Sequence, residues 1–229
     1  MGDFTIYDVL ALGWYLVAWA LFGWLTDYSR WHRGSLSRLM DQQRRGWMAG
    51  MRSREVRMVD TAIMASLQNG TAFFASTSLL ALGASLTLLN QSERVVAIFG
   101  ELPLLHLVAS KQVLELKVLG LAVVYGYAFF KFGWAYRLYN YAAILIGAIP
   151  PPEADADAVL LATERAAEMQ IHAGHHFHWG LRSLFFSIGY LGWFLGPFVF
   201  LATSTVIVVV LTHRQFWSPA RLALLDPEG

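Results

Sequence analysis

Four histidines fall within seven residues of the segment HAGHHFHWGLR: His172, His175, His176 and His178. On a helix the first three lie at i, i+3 and i+4, so they share one face, and Glu168 sits one turn before them. Imidazoles at that spacing suit zinc, nickel or copper. A di-iron bundle needs matching Glu and Glu-x-x-His sets on other helices, and the sequence offers none. A bis-histidine haem needs facing histidines on separate apolar helices, whereas His32, His106 and His213 fall in loops or at helix edges. His172, His175 and His176 are therefore the metal candidates, and a resident cofactor is not expected. Two other uses compete for the His172 to His178 cluster: a polar surface beside an apolar helix, and pH sensing near the ordinary imidazole pKa of about 6.5.

A second group of residues matters because an ionisable side chain at membrane depth costs about 2.5–3.5 kcal/mol even on lenient insertion scales. Asp60, Lys131, Arg137, Asn140 and Arg182 all fall at the same side of apolar runs, where each needs a partner or a wet cavity. Asp60 is expected to pair with Arg182 or Arg137 and close that end of a bundle. Arg137 shares a helical face with Asn140 and Tyr141, which suits interhelical hydrogen bonding or an anionic head group. Lys131 reads equally as an anchor among Phe130, Phe132, Trp134 and Tyr136. Eight arginines between positions 30 and 57 form the strongest charge feature. Of these, Arg30, Arg33, Arg38, Arg44 and Arg45 are candidates for contact with anionic lipid, each worth about 1 kcal/mol near a membrane surface. Nucleic acid is not expected as a partner, because Trp31 and Trp47 belong more naturally to a membrane interface.

The elements that must position these residues follow from composition. The chain of 229 residues is 56% hydrophobic and 14% charged, with mean hydropathy +0.46. A soluble domain carries roughly a quarter charged residues, so lipid is the expected solvent. Cysteine is absent, which excludes disulfides, thiolate nucleophiles, iron–sulfur clusters and c-type haem attachment. The N-terminal run lacks a basic leader region and carries Asp3 and Asp8, so it reads as a retained span and not a signal peptide.

A span needs about 20 mostly apolar residues. Four stretches qualify, at about 4–25, 71–89, 113–134 and 183–212. The third crosses only if Lys117 and Lys131 snorkel to opposite faces. The fourth is uncharged throughout and longer than a bilayer requires, so a kink is expected at Gly196-Pro197. The loops at about 26–68 and 135–182, with Lys131 at the edge of the second, hold twelve of the seventeen basic residues, with five on the other side. By the positive-inside rule both long loops face the cytoplasm of a bacterial plasma membrane and both termini face out. Within the first loop an interfacial amphipathic helix is expected from Leu36, Leu39 and Met40. The outer loop, with Pro103, is expected on or shallowly in the outer surface. In the second loop, IPPPEADADA ends one helix before Pro150, and the helix formers after it lead into span four. Ala72, Ser76, Ala81, Ala84 and Ser85 in span two suit close helix packing, with a pore lined by Ser76, Thr77 and Thr87 as the alternative.

Several phrases occur together: FFASTSLLALG in span two, AFFKFGWAYRLYNYAAILIGAIP at the end of span three, and GLRSLFFSIGYLGWFLGP followed by RQFWSPA. Taken with Arg137 and Asn140 as an Arg-x-x-Asn pair, and Gly180, Leu181 and Arg182 before Phe185 and Phe186, the chain resembles the bacterial and plant membrane-protein family known as domain of unknown function 599. The likeness covers nearly the whole chain and implies a fold without an activity. The family pattern has Phe-Asn-Arg before the Gly-Leu-Arg, whereas this chain reads Phe177, His178, Trp179, so the histidines are not a family-wide device.

Hydrolase, zincin, P-loop and dinucleotide motifs are missing, so an enzyme is not expected. The sequence therefore predicts an all-α, polytopic membrane bundle of four transmembrane helices in a single domain, 1–229, with amphipathic and juxtamembrane helices on its cytoplasmic side. Its expected role is a small transport or channel-like protein, oligomeric because four spans seldom enclose a pathway alone. The alternatives are a non-catalytic scaffold or accessory subunit of a larger membrane complex, and a metal or haem protein using the histidines.

Overall fold

The computed structural model of the chain describes residues 4–29, 34–54, 56–100 and 110–225, with backbone alone for 98–100. The described residues form helices and their connections, without a strand. Helix α1, Ile6–Asp27, starts at a capping box in which Thr5 and Asp8 each satisfy the other's backbone N–H. Ser35 caps α2, Leu36–Gly50, and a 3-10 turn at Met51–Ser53 leads on to α3, Met58–Asn90. Helix α4, Ser92–Gly100, precedes α5, Lys111–Gly147, capped by Ser110. Asp155 caps α6, Ala156–Leu191, and the chain continues through a 3-10 turn, Gly192–Leu195, into α7, Pro197–Phe216, and α8, Pro219–Leu222.

Four helices are long and apolar enough to cross a membrane: α1, α3, α5, and α7 together with α8. Helix α5 is the axis of the bundle; 39% of its most apolar window is buried, against 11% for α3. Its buried residues Leu114, Leu121, Ala128, Ala135 and Ala142 recur every seven positions, as do Met64, Thr71, Ser78 and Ser85 on α3. A seven-residue seam of small side chains lets two backbones approach closely. The hydroxyls of Thr71, Ser78 and Ser85 donate to carbonyls one turn back, 2.7–2.9 Å away, and so leave no unpaired donor in that seam. Span two thus packs closely, but on a different face from the one expected. Of Ala72, Ser76, Ala81, Ala84 and Ser85 only Ser85 is buried, while Ser76, Thr77 and Thr87 point outward and line no pore within one chain.

The uncharged stretch 183–212 is not one kinked span. It folds as two antiparallel segments, because Gly196 takes φ 130°, a left-handed value open to glycine, and α7 doubles back along α6. The Thr203 hydroxyl on α7 donates to the Gly189 carbonyl on α6 at 2.7 Å. The break lies at the expected position, Gly196-Pro197, and is a full reversal. Asp8 therefore meets Trp193 at one end of the bundle, whereas Gln215 meets Ser37 and Arg221 meets Gly34 at the other. The expectation of both termini on one side is corrected accordingly: the described N-terminal and C-terminal residues lie at opposite ends.

The loop helix α2 forms as expected but turns Leu39, Asp41 and Met48 inward, whereas Met40 is exposed. Its partner is the first half of α6, to which Asp41 and Arg45 are tied through His175 and Glu168. The expected helix after the proline linker is present as α6. Arg57 donates to the carbonyls of Ile146, Ile149 and Pro150 and so caps the end of α5. The outer loop contributes α4, and its Pro103 and His106 lie outside the described residues.

Candidate functional site

Helices α1 and α5 flank a groove instead of touching along their length. Leu12, Tyr15, Leu16 and Trp19 of α1 recur at i, i+3, i+4 and i+7 and form one wall. Leu116, Leu119, Gly120, Val123, Val124 and Tyr127 repeat the pattern on α5, and Tyr190 and Trp193 floor the space. The cavity measures about 610 Å³. Its rim faces outward, with Leu16, Leu119 and Val123 each more than half exposed. Behind the floor lies a ring cluster in which Tyr15 meets Phe186, Tyr190 and Phe200 at centroid distances of 5.6, 5.5 and 5.2 Å. Tyr15 is buried, and its hydroxyl has no hydrogen-bond partner among the described residues.

One end of the groove is shut. The Trp193 indole N–H donates to Asp8 at 2.7 Å, and Lys117 Nζ donates to the Trp193 carbonyl at 2.8 Å, with Asp8 3.7 Å away. The Tyr190 hydroxyl donates to the Lys117 carbonyl at 2.9 Å. Asp8 and Lys117 are 6% and 5% exposed, so this is a buried pair whose remaining hydrogen-bonding capacity is met. Lys117 was expected to snorkel to water; instead it turns inward to cap the carbonyl freed where α6 ends.

The other end is built from the same parts and left accessible. Asp27 accepts from the Trp179 indole at 3.0 Å and from Arg182 at 3.0 and 3.1 Å, and Arg182 also donates to the Thr26 hydroxyl at 2.8 Å. A second cavity, about 350 Å³, lies here between Trp24, Asp27, Tyr28, Lys131, Trp179 and Arg182. It shares Trp19 and Tyr127 with the apolar groove, so the two spaces are neighbours across these rings. The Lys131 ammonium lies 4.5 Å from the Trp179 ring centroid and 5.1 Å from that of Tyr127, with no carboxylate partner among the described residues.

The expected polar cluster is divided among separate contacts. Asp60 pairs with neither Arg137 nor Arg182; it accepts from Trp47 at 2.6 Å and Arg54 at 2.7 Å. Asn140 accepts from Gln68 at 2.7 Å. Arg137 donates to Tyr141 at 2.6 Å and lies over the Trp134 ring, on an exposed face. Only Lys131 and Arg182 of the five reach the mouth.

The histidines do not converge on a common point, and no three metal-donor side chains do so among the described residues. His175 Nε2 is 2.9 Å from Asp41, His176 stands edge-on to Trp179, His172 lies 6.4 Å from His175 between ring centroids, and Glu168 is taken by Arg45 at 2.7 Å. Burial opposes ionisation of Asp41, but the hydrogen bond from His175 and the charges of His175 and Arg44 hold its carboxyl below the ordinary range.

Of the arginines proposed for lipid, Arg30 and Arg33 lie outside the described residues. Arg44 is tied to Asp41 at 2.8 Å and Arg45 to Glu168, whereas Arg38 is half-buried and forms no ion pair among the described residues. Arg52, Arg54 and Arg57 are likewise tied to Thr163, Asp60 and the end of α5. This loop therefore uses much of its charge to hold the helices of its own end together.

The sequence reading passed over Asp27, Trp179, Trp193, Tyr15 and the pairing of Asp8 with Lys117. The available signal was a carboxylate at each end of α1, nineteen residues and about 28 Å apart along the helix, too widely spaced to serve one site.

The Gly-Leu-Arg motif carrying the family resemblance acquires a structural meaning. Gly180 allows the Phe132 ring against its backbone, where a Cβ would come within 2.7 Å of a ring carbon, and Arg182 follows two residues later to reach Asp27. No curated protein and no solved structure matches the chain. The family described as "Protein of unknown function, DUF599" matches residues 10–220, a range that takes in both walls of the groove and the Asp27–Arg182 mouth. Nearly the whole chain is thereby accounted for, and it belongs to the DUF599 family.

Proposed function

We propose that this is a small transport protein of a bacterial plasma membrane that takes an amphipathic molecule sideways out of the bilayer into the groove between α1 and α5. The observation that carries the reading is the apolar 610 Å³ cavity, shut at the Asp8–Lys117–Trp193 end and neighboured at the other end by a mouth lined by charged and aromatic side chains. Its volume falls within the range of about 300–1,000 Å³ typical of ligand pockets. A groove open along one side needs no enclosed channel, so the reading does not depend on an oligomer. The reversal at Gly196 also supports an orientation. With α7 returned, Arg214 and Arg221 join the arginine-rich end, giving fourteen basic residues there against Arg94, Lys111 and Lys117 at the other. The positive-inside rule then puts the mouth at the cytoplasmic surface, the N-terminal end of α1 outside and the C-terminal end of α7 inside.

The test is translocation of dye-labelled amphiphiles in proteoliposomes, read by dithionite quenching with anionic, zwitterionic and cationic head groups. The full-length chain is expected to speed at least one of them about tenfold or more over protein-free vesicles, a barrier change of about 1.4 kcal/mol. Val123→Trp on one rim, or Leu16→Trp on the other, should return the rate to the protein-free value. Protein-free rates for every head group, or a rate unaffected by both tryptophans, would overturn the proposal.

A further inference from the structure

We infer that the groove holds one anionic phospholipid of the cytoplasmic leaflet, its phosphate on Lys131 and one acyl chain along α5 toward Leu116; this rests on the reading of the groove as a site for amphiphiles. Two observations converge on that occupant. The first is length. From Leu116 to Tyr127 the α5 wall runs eleven residues, about 16 Å at 1.5 Å per residue, which is about half of a 30 Å hydrocarbon core. That is the depth of one leaflet, and it suits an acyl chain better than a membrane-spanning helix.

The second is charge. Among the cations around the mouth, Arg182 is already matched by Asp27, and Lys131 is the one without a carboxylate partner among the described residues. It is held between the Tyr127 and Trp179 rings, one helical turn beyond the apolar lining, at the level where a lipid phosphate meets its chains. A neutral apolar ligand would leave that charge unanswered, and a zwitterionic head group would bring its own cation to a site already occupied by two.

Native mass spectrometry of the full-length protein tests this, with phosphatidylglycerol and phosphatidylethanolamine of identical chains titrated separately. One equivalent of phosphatidylglycerol should persist at least about tenfold more strongly than phosphatidylethanolamine, and Lys131→Gln should remove that preference while Lys131→Arg keeps it. Arg165→Gln should change nothing, because that exposed side chain of α6 lines neither cavity. Val123→Trp should expel the bound equivalent without lowering the thermal midpoint seen with Arg165→Gln, which separates a blocked groove from a misfolded chain. Equal retention of the two lipids, both expelled by Val123→Trp, would overturn the lipid assignment and leave the groove as a site for amphiphiles. No retained lipid at all would defeat both readings. Loss of a dimer peak on Val123→Trp, with lipid retention unchanged, would assign the groove to a second copy of the chain and overturn the inference as well.

Discussion

The two ends of α1 are made from the same three parts. At one, Asp8 accepts an indole N–H from Trp193 and faces Lys117; at the other, Asp27 accepts an indole N–H from Trp179 and faces Arg182. They differ in burial and in what else the cation does. Lys117 and Asp8 side chains are 6% and 9% exposed, and the lysine also holds the Trp193 carbonyl where α6 ends, so the pair locks α1, α5 and the α6–α7 reversal together. Arg182 and Asp27 are 12% and 25% exposed, beside a cavity that contains a second cation, Lys131. An acid, an indole and a base thus make a lock where water is excluded and a mouth where it is not. The difference comes from the surroundings of the triads.

The largest effect should come from breaking the lock. Lys117→Met leaves Asp8 buried without its cation, and removal of one member of a buried pair costs about 3–5 kcal/mol. The midpoint of thermal or denaturant unfolding in detergent micelles should fall accordingly. The double variant Asp8→Asn with Lys117→Met should recover much of the loss, because an amide still accepts from the Trp193 indole and no charge remains to be answered. A single variant as stable as the native chain would mean that water already reaches Asp8, and the contrast between the two ends would fail.

Opening the mouth should cost less. Arg182→Gln removes charge-assisted hydrogen bonds to a carboxylate that is a quarter exposed and can turn to water, so about 1.5–3 kcal/mol is the upper range. The same unfolding measurement checks it. A loss equal to that of Lys117→Met would place both triads in equally dry surroundings and remove the reason for reading one end as closed.

Much of this architecture was legible in the sequence because lipid makes hydropathy decisive: α1, α3 and α5 form at the three apolar runs expected of them, and the proline linker ends α5. The reversal at Gly196 was not legible, since an uncharged stretch carries no marker of where one pass ends and the next begins; the position of Gly-Pro was readable, and its φ was not. The site was harder still. Arg182 was recognised as important, but its acid is Asp27, 155 positions away, and pairing at that distance depends on which helices are neighbours. The internal partners of the arginine-rich loop were hidden for a related reason. A run of arginines looks like a membrane-facing surface until Asp41, Asp60, Glu168 and the end of α5 are brought beneath it.

The smallest expected effect comes from acidification, and it should separate the two ends without any substitution. His176 and His178 lie at the arginine-rich end. Burial, with Lys131 and the neighbouring histidines His172 and His175, lowers His176 to about 4; burial, with Arg44 and partly opposed by Asp41, lowers His178 to about 4. Because both folded values lie below the ordinary 6.5, an unfolded chain takes up protons that the folded one refuses. Their contribution to stability is whole above about pH 6.5 and is lost as pH falls toward 4. Asp41, held below the ordinary carboxylate range, stays ionised through that window, so the α2 tie to His175 and Arg44 is not what fails first. Hydrogen exchange, corrected for the intrinsic rate, should therefore rise between pH 7.5 and pH 5 in α2 and in the histidine-bearing middle of α6. Around Lys117 and Trp193, where no histidine lies among the described residues, it should stay unchanged. His178→Gln keeps a neutral polar group and should reduce the rise. An increase of equal size at both ends would show that acid acts on the bundle as a whole, and the histidines would lose their claim to set the difference.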